Sequence, residues 1–259
     1  MNPAYIEIGP WQLLLAALLI LVNAAISLFL RLGMERTLLI SAVRTVVQLL
    51  AVGFVLEWVF SLRAWPLVLL LALVMTTLAA VSAVDRTKRR YRGIYGDSFA
   101  ATLLSTSLVT AAVVPGIMGV RPWWEPQYLV PLLGMILGNT LTGVSLGLNG
   151  LMEELVRRRA EVESLLALGA TRWEAVQGIM REALRTGMIP TINSMMVVGI
   201  VSLPGMMTGQ ILAGAAPADA VGYQIVVMFM IAAATALGTL GIVYLAYLRL
   251  FSPRDQLLL

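Results

Sequence analysis

The sequence predicts an all-α membrane protein: about seven transmembrane helices in a single domain over residues 1–259, with the N-terminus outside and the C-terminus in the cytosol. Three observations predict it. First, 59% of the 259 residues are hydrophobic, only 12% are charged, and mean hydropathy is +0.89. Soluble domains carry about 25% charge, so part of the solvent here must be lipid. Second, the apolar residues gather into runs long enough to cross a bilayer, which takes about 20 residues of helix. Third, fifteen of the 18 Lys and Arg fall in alternate loops on one side. Cytosolic loops are the basic ones.

In chain order the expected spans are 11–30, 37–60, 64–84, 98–120, 128–150, 189–214 and 220–248. The first follows a stretch without positive charge, so it reads as a retained helix rather than a cleaved signal. The second carries Arg44, Gln48 and Glu57. The basic loops are 31–36 (Arg31, Arg36), 85–97 (Arg86, Lys88, Arg89, Arg90, Arg92), 151–188 (Arg157, Arg158, Arg159, Arg172, Arg181, Arg185) and the tail (Arg249, Arg254). The opposite loops hold only Arg63 and Arg121. Trp123, Trp124 and Tyr128 read as an interfacial aromatic belt, with a gate as the alternative.

The absences exclude whole chemistries. Without Cys there is no disulfide, thiolate nucleophile or zinc-thiolate site, and without His no Ser-His-Asp triad or haem His. The one Lys, Lys88, follows AVSAVDRT, which has no glycine and so is no phosphate loop. The pI near 9.8 reflects the loop charges rather than nucleic-acid binding.

Residues 151–188 are too polar for a span. Glu153 and Glu154 precede Arg157 and Arg158 by four residues, which supports a helix. Gly169 offers a C-terminal cap, and Thr171 with Glu174 forms a capping-box pattern before a second helix with Trp173, Val176, Met180 and Leu184 on one face. The sequence therefore specifies a cytosolic helix–turn–helix elbow between spans five and six. Such an elbow can fit a groove on a soluble partner, or merely cap the bundle.

The run Glu163-Ser164-Leu165-Leu166-Ala167-Leu168-Gly169, with Ile179 ten residues on, has the spacing of the EAA loop of ABC transporter permeases. It departs from that loop at Ser164 and Leu165, and at Arg181-Glu182 where Leu-Pro is usual. Over most of the chain, RTVVQLLAVGFVL (44–56), PLLGMILGN (131–139), ESLLALGAT (163–171), MIPTINSMMVVGIVSLPGMMTGQILAG (188–214) and YQIV (223–226) resemble the Fet-type permease family. That family includes the membrane subunit of a bacterial iron exporter and plant permeases linked to aluminium tolerance. The resemblance implies a permease in the bacterial cytoplasmic membrane, without ATP chemistry of its own. It would be paired with a second copy and with a separate P-loop ATPase that binds ATP and Mg. It implies Glu163, Gly169, Ala170, Thr171, Arg172 and Ile179 as the coupling elbow, and iron or a related metal as an exported cargo. A nucleotide sugar remains open.

Ionisable and amide groups within spans are candidate pathway residues. Arg44 and Gln48 lie one turn apart; Arg44 suits a cavity, a carbonyl bond or snorkelling to the interface. Glu57 lies about 20 Å further along the helix. In span six Asn193 precedes a break at Leu203-Pro204-Gly205, followed by Met206, Met207 and Gln210. Broken helices line cavities or are buried in protein. Thioethers suit soft metals such as copper(I), not ferric iron, although most of the 14 Met read as packing. Gly134/Gly138 and Gly143/Gly147 in span five read as close-packing surfaces, within the chain or between copies. Asn139 and Asn149 on that span are pathway or structural amides. A stand-alone secondary transporter would need coupling carboxylates within spans, and an intramembrane enzyme would need catalytic groups that are absent.

Overall fold

The computed structural model describes residues 9–252 and 256–258; the expected tail charge Arg254 lies outside them. The named elements are helices: α1 (Pro10–Phe29), α2 (Glu35–Leu62), α3 (Trp65–Asp85), α4 (Ile94–Gly116), α5 (Pro126–Arg157), α6 (Arg159–Ala167), α7 (Arg172–Val197), α8 (Gly205–Leu212) and α9 (Pro217–Arg249). They fall into two compact units, Met1–Ala64 with Leu212–Gly214, and Trp65–Ile211 with Ala215–Leu259. Among the described residues six helices are long and apolar enough to cross a membrane: α1, α2, α3, α4, α5 and α9.

In the first unit α1 and α2 form a hairpin. Pro10 opens α1 at a position where its missing N–H costs nothing. The turn is fastened by Ser27, whose Oγ donates to Glu35 Oε2 (3.1 Å) and accepts the Met34 N–H (3.0 Å). The outer faces of both helices are apolar and exposed within the chain.

In the second unit α5 is the central post, touching α3, α4, α7 and α9. Glycines let it approach α7 and α9 closely. A Cβ on Gly143 would run into Thr235 Cγ2 and meet Thr239 Oγ1 at 2.8 Å. One on Gly187 would lie 2.7 Å from the Gly143 carbonyl oxygen. The Gly143/Gly147 pair is thus a packing seam within the chain. Gly138 is different, with nothing within 4 Å of its would-be Cβ.

The expected basic loops of this unit gather at one end. Lys88 Nζ meets Glu153 Oε1 (3.0 Å), and the Lys88 N–H donates to Asn149 Oδ1 (3.2 Å). Arg249 Nε binds the buried Asp97 at 2.6 Å, and the Tyr91 hydroxyl donates to the same carboxylate at 3.0 Å. Burial first, and then the Asp97 charge, push the Tyr91 hydroxyl well above its ordinary pKa. Trp173 stands edge-on to Tyr247 at 6.1 Å, tying the start of α7 to the end of α9. Asn149 is therefore a structural amide.

Three expectations are corrected. Segment 189–214 is not one spanning helix: α7 ends at Val197 and α8 begins at Gly205. The break starts six residues before Pro204, because Val198 turns extended (ψ 134°) and Gly199 takes φ 83°. The elbow is not a separate segment either. The span helix α5 continues to Arg157, α6 follows after Arg158, and the second arm is the start of α7, which runs from Arg172 to Val197 and carries the first part of the expected sixth span. The third concerns the ion pairs. Arg158 leaves helical geometry (φ −102°, ψ 21°), so the expected Glu153–Arg157 and Glu154–Arg158 pairs are replaced. Glu154 meets Arg157 at 2.6 Å, Arg158 meets Glu161, and Glu153 meets Lys88.

Candidate functional site: a polar cavity at a broken helix, and an elbow at the basic end

The first residues of the break between α7 and α8 turn their N–H groups back onto the chain. The Gly199 N–H donates to Ser202 O (2.9 Å), and the Val201 and Ser202 N–H groups return to Val197 O (2.9 and 3.3 Å). Pro204 O accepts both the N–H and the hydroxyl of Thr208 (3.0 and 3.1 Å). Irregular backbone at membrane depth is tolerated only when so satisfied, or when it lines a cavity. Here it also lines one.

That cavity is about 280 Å³, walled by Met135 and Asn139 of α5, Thr191, Ser194 and Val198 of α7, Ser202 and Pro204 of the break, and Gln224, Met228 and Ile231 of α9. A second cavity of about 420 Å³ shares Val198, Gln224 and Met228 with it and adds Met195, Met207 and Phe229. Gln224 is only 6% exposed, and its Oε1 has no hydrogen-bond partner. Asn139 donates through Nδ2 to Met135 O at 2.9 Å, a bond that leaves its carbonyl oxygen unused. Carboxylates are absent from both walls. Among the described residues no group of His, Cys, Asp or Glu can hold a metal. The larger cavity between α3, α4 and α5, about 540 Å³, is walled mostly by Leu, Ala and Val with a few hydroxyls.

Of the expected pathway residues, Asn139 and Pro204 line the first cavity and Met207 the second. Asn193 is exposed on α7, Met206 packs on the core cluster of Leu132, Ile136 and Met230, and Gln210 lies on α8 with Oε1 buried and unpartnered. Arg44, Gln48 and Glu57 stand exposed on α2, in the other unit. Sequence reasoning missed Thr191, Ser194, Ser202, Met135, Met228 and above all Gln224. The signal was present: Gln224 is the one amide of α9, as Gln48 is of α2.

At the basic end, α6 closes in a Schellman motif. The Gly169 N–H donates to Leu166 O (3.1 Å) and the Ala170 N–H to Leu165 O (3.0 Å), with Gly169 at φ 94°. The chain then enters α7 through the expected capping box. Thr171 Oγ1 accepts the Glu174 N–H (3.2 Å), and Glu174 Oε2 accepts the Thr171 N–H (2.8 Å). The Thr171 backbone N–H, and then its hydroxyl, hold the Glu174 carboxyl below its usual pKa. Glu163 is exposed and held by Arg159 Nε at 2.7 Å. Arg172 opens α7. Ile179 is 2% exposed and belongs to the core, beside Val176 and Met180. The residue most presented at the tip is Leu168, 85% exposed, another that the sequence did not single out.

The profile of the family described as "Uncharacterised protein family (UPF0014)" matches residues 10–251. The chain is 41% identical to UPF0014 membrane protein slr1647 of Synechocystis sp., over 92% of this chain and 93% of that protein. It is 34% identical to Probable iron export permease protein FetB of Escherichia coli, over 95% and 93%. It is 32% identical to Protein ALUMINUM SENSITIVE 3 of Arabidopsis thaliana, over 93% and 87%. No solved structure matches.

Proposed function

This chain belongs to the UPF0014 family, and on that premise we propose that it is the permease subunit of an ABC transporter that exports a metal ion from the bacterial cytosol. Two copies form the path, and a separate P-loop ATPase binds ATP and Mg and drives it. The observation that carries this reading is the elbow. A capped turn offers Leu168, Gly169 and Ala170 at its tip, on two arms that continue into membrane-length helices. An exposed leucine at a rigid turn is a knob for a groove on a soluble partner. The turn is flanked by α6 and α7; α7 runs on to Thr191 at the cavity, and α6 joins α5, which carries Asn139, at Arg158, so movement of the knob reaches the cavity along both. Iron as cargo draws on the printed name of the Escherichia coli relative.

The test is gentle purification of the tagged chain from its native membrane. The expected result is a P-loop ATPase in near-equal amount, lost on Leu168→Asp. A chain that purifies alone and transports in vesicles without ATP would overturn the reading in favour of a secondary transporter.

A further inference from the structure

We infer that the loop between α3 and α4 binds anionic phospholipid, with the exposed side chains of Arg86, Arg89 and Arg92 taking the headgroup phosphate. The inference goes beyond the permease reading. It rests only on α3 crossing the bilayer, whatever the cargo and whatever drives it.

Three observations carry it. The first is depth. α3 has 21 residues, about 31 Å of helix, which matches a hydrocarbon core of about 30 Å. Trp65 opens the helix and is 56% exposed, and Tyr95 stands exposed just past the loop at the other end. Aromatic side chains of this kind mark the two interfaces of a bilayer. The loop that begins at Arg86 therefore lies in the headgroup layer, not beyond it.

The second is the way the loop is fastened. Thr87 is buried, and its N–H donates to Val84 O (2.9 Å) and its hydroxyl to Ala83 O (3.2 Å). Lys88 is held by Glu153 and Asn149 of α5. Arg90 meets Asp85 Oδ1 at 3.1 Å and lies over the Tyr95 ring, 5.7 Å from its centroid. These contacts fix the backbone and occupy the carboxylates. Arg86, Arg89 and Arg92 interleave with the held residues, stay exposed and, among the described residues, form no ion pair.

The third is the contrast with the elbow. There Arg157, Arg158 and Arg159 each meet a glutamate: Glu154, Glu161 and Glu163. Asn149 is level with the loop, since its side chain accepts the Lys88 N–H, and Arg157 lies about 12 Å further along α5. Charge is thus neutralised where α5 has left the bilayer, and left unpaired where lipid phosphate stands. An anionic leaflet attracts basic residues held within a Debye length of its surface, and the guanidinium fork takes two phosphate oxygens at once.

The test is native mass spectrometry of the full chain in detergent, titrated with phosphatidylglycerol and, separately, with phosphatidylcholine. The expected result is tighter binding of phosphatidylglycerol. Its affinity should fall about fivefold in Arg92→Gln and about tenfold or more in Arg86→Gln/Arg89→Gln/Arg92→Gln, in line with what a basic residue contributes at an anionic membrane surface. The corresponding triple lysine variant keeps the charge and should keep most of the preference. Arg157→Gln removes the same charge from the elbow and should leave affinity unchanged, and inorganic phosphate should not displace the lipid. The substituted side chains are exposed, so melting temperatures should stay near that of the parent chain; should the glutamine triple melt early, Arg92→Gln and the parent's choice between the two lipids decide. The inference is overturned by equal binding of the two lipids to the parent chain, by undiminished binding in the glutamine triple, by an equal loss in Arg157→Gln, or by displacement with inorganic phosphate. Recovery of the ATPase is scored on the same preparations. A glutamine triple that keeps its lipid but loses its ATPase makes the loop a protein contact and overturns the inference. A chain that prefers phosphatidylglycerol through these arginines but has no ATPase keeps the inference and overturns the permease reading.

Discussion

The same three helices, α5, α7 and α9, are packed in opposite ways one turn apart. At Gly143, Gly147 and Gly187 they touch so closely that a Cβ would run into Thr235, Thr239 or the facing backbone. Four residues further along each helix, at Asn139, Thr191 and Ile231, they part around a cavity. The seam stands between the elbow and the cavity. Its smallness makes it stiff, because interiors packed at backbone contact do not deform continuously. The cavity can yield, since α7 ends there. On the permease reading proposed above, the contrast gives a route for a push at the surface turn: a close-packed middle would pass it on, and the broken helix would give way.

The largest test of that contrast is to fill the seam. In Gly187→Leu the new Cβ would lie 2.7 Å from the Gly143 carbonyl oxygen, and backbone cannot step aside as a rotamer does. Overpacking should cost about 3 kcal/mol or more, read as a collapse of melting temperature and yield in detergent. Gly138→Ala is the counterpart on α5. Nothing lies within 4 Å of its Cβ, so it should be neutral or stabilise by about 0.5–1 kcal/mol as alanine replaces helical glycine. Equal losses at the two sites would erase the distinction between the close-packed seam and the open face of α5.

Gly169→Leu acts outside the seam. A leucine at φ 94° is strained by roughly 1–2 kcal/mol, while open space surrounds the position. The chain should fold, keep its seam, and lose coupling between ATP hydrolysis and transport in reconstituted vesicles. Normal coupling in this variant would mean that the elbow is only a cap.

Much of this was legible in the sequence. Hydropathy runs place α1, α2, α3, α4 and α9 and the start of α5 to within a few residues, since a span needs a fixed length of apolar chain, but α5 runs on to Arg157, past the expected end at 150. Gly169, Thr171 and Glu174 mark the turn because capping chemistry is local. The cavity was half legible. Pro204 marks the break and Asn139 a polar group in a span, but the end of α7 is set earlier, by Gly199, and glycine alone does not announce a left-handed turn. Gln224 and Met228 come from a helix distant in sequence, and only packing brings them to Asn139. The partner of Glu153 escaped for a similar reason: local i,i+4 spacing says nothing of Lys88 across the fold.

Gln224→Leu sharpens the other half of the contrast. Replacing a buried, unpartnered amide by an apolar group of similar size removes a desolvation cost, so the fold should be unchanged or gain about 1 kcal/mol. Transport should nevertheless fall. A gain in melting temperature with a loss of transport separates a cavity wall from a packing seam, where stability and function fall together. A loss of stability would show instead that the amide holds the fold.

The smallest effect lies at the elbow and depends on pH. The Glu174 carboxyl sits below its ordinary value of 4.5, held down by the Thr171 N–H and hydroxyl. Below that value the unfolded chain binds the proton more readily, so the capping box contributes stability that is fully present above it and is lost as pH falls through the lower, folded value. Glu174→Gln keeps the shape of the box and removes the titration. The melting temperatures of the two chains should differ at neutral pH and converge as pH falls through the lowered, folded value. Gly138→Ala introduces no titrating group, so it should keep a constant offset from the parent chain over the same range. A gap between the parent chain and Glu174→Gln that persists undiminished into acid would mean that the carboxylate's charge contributes nothing to the turn, and that the box is held by geometry alone.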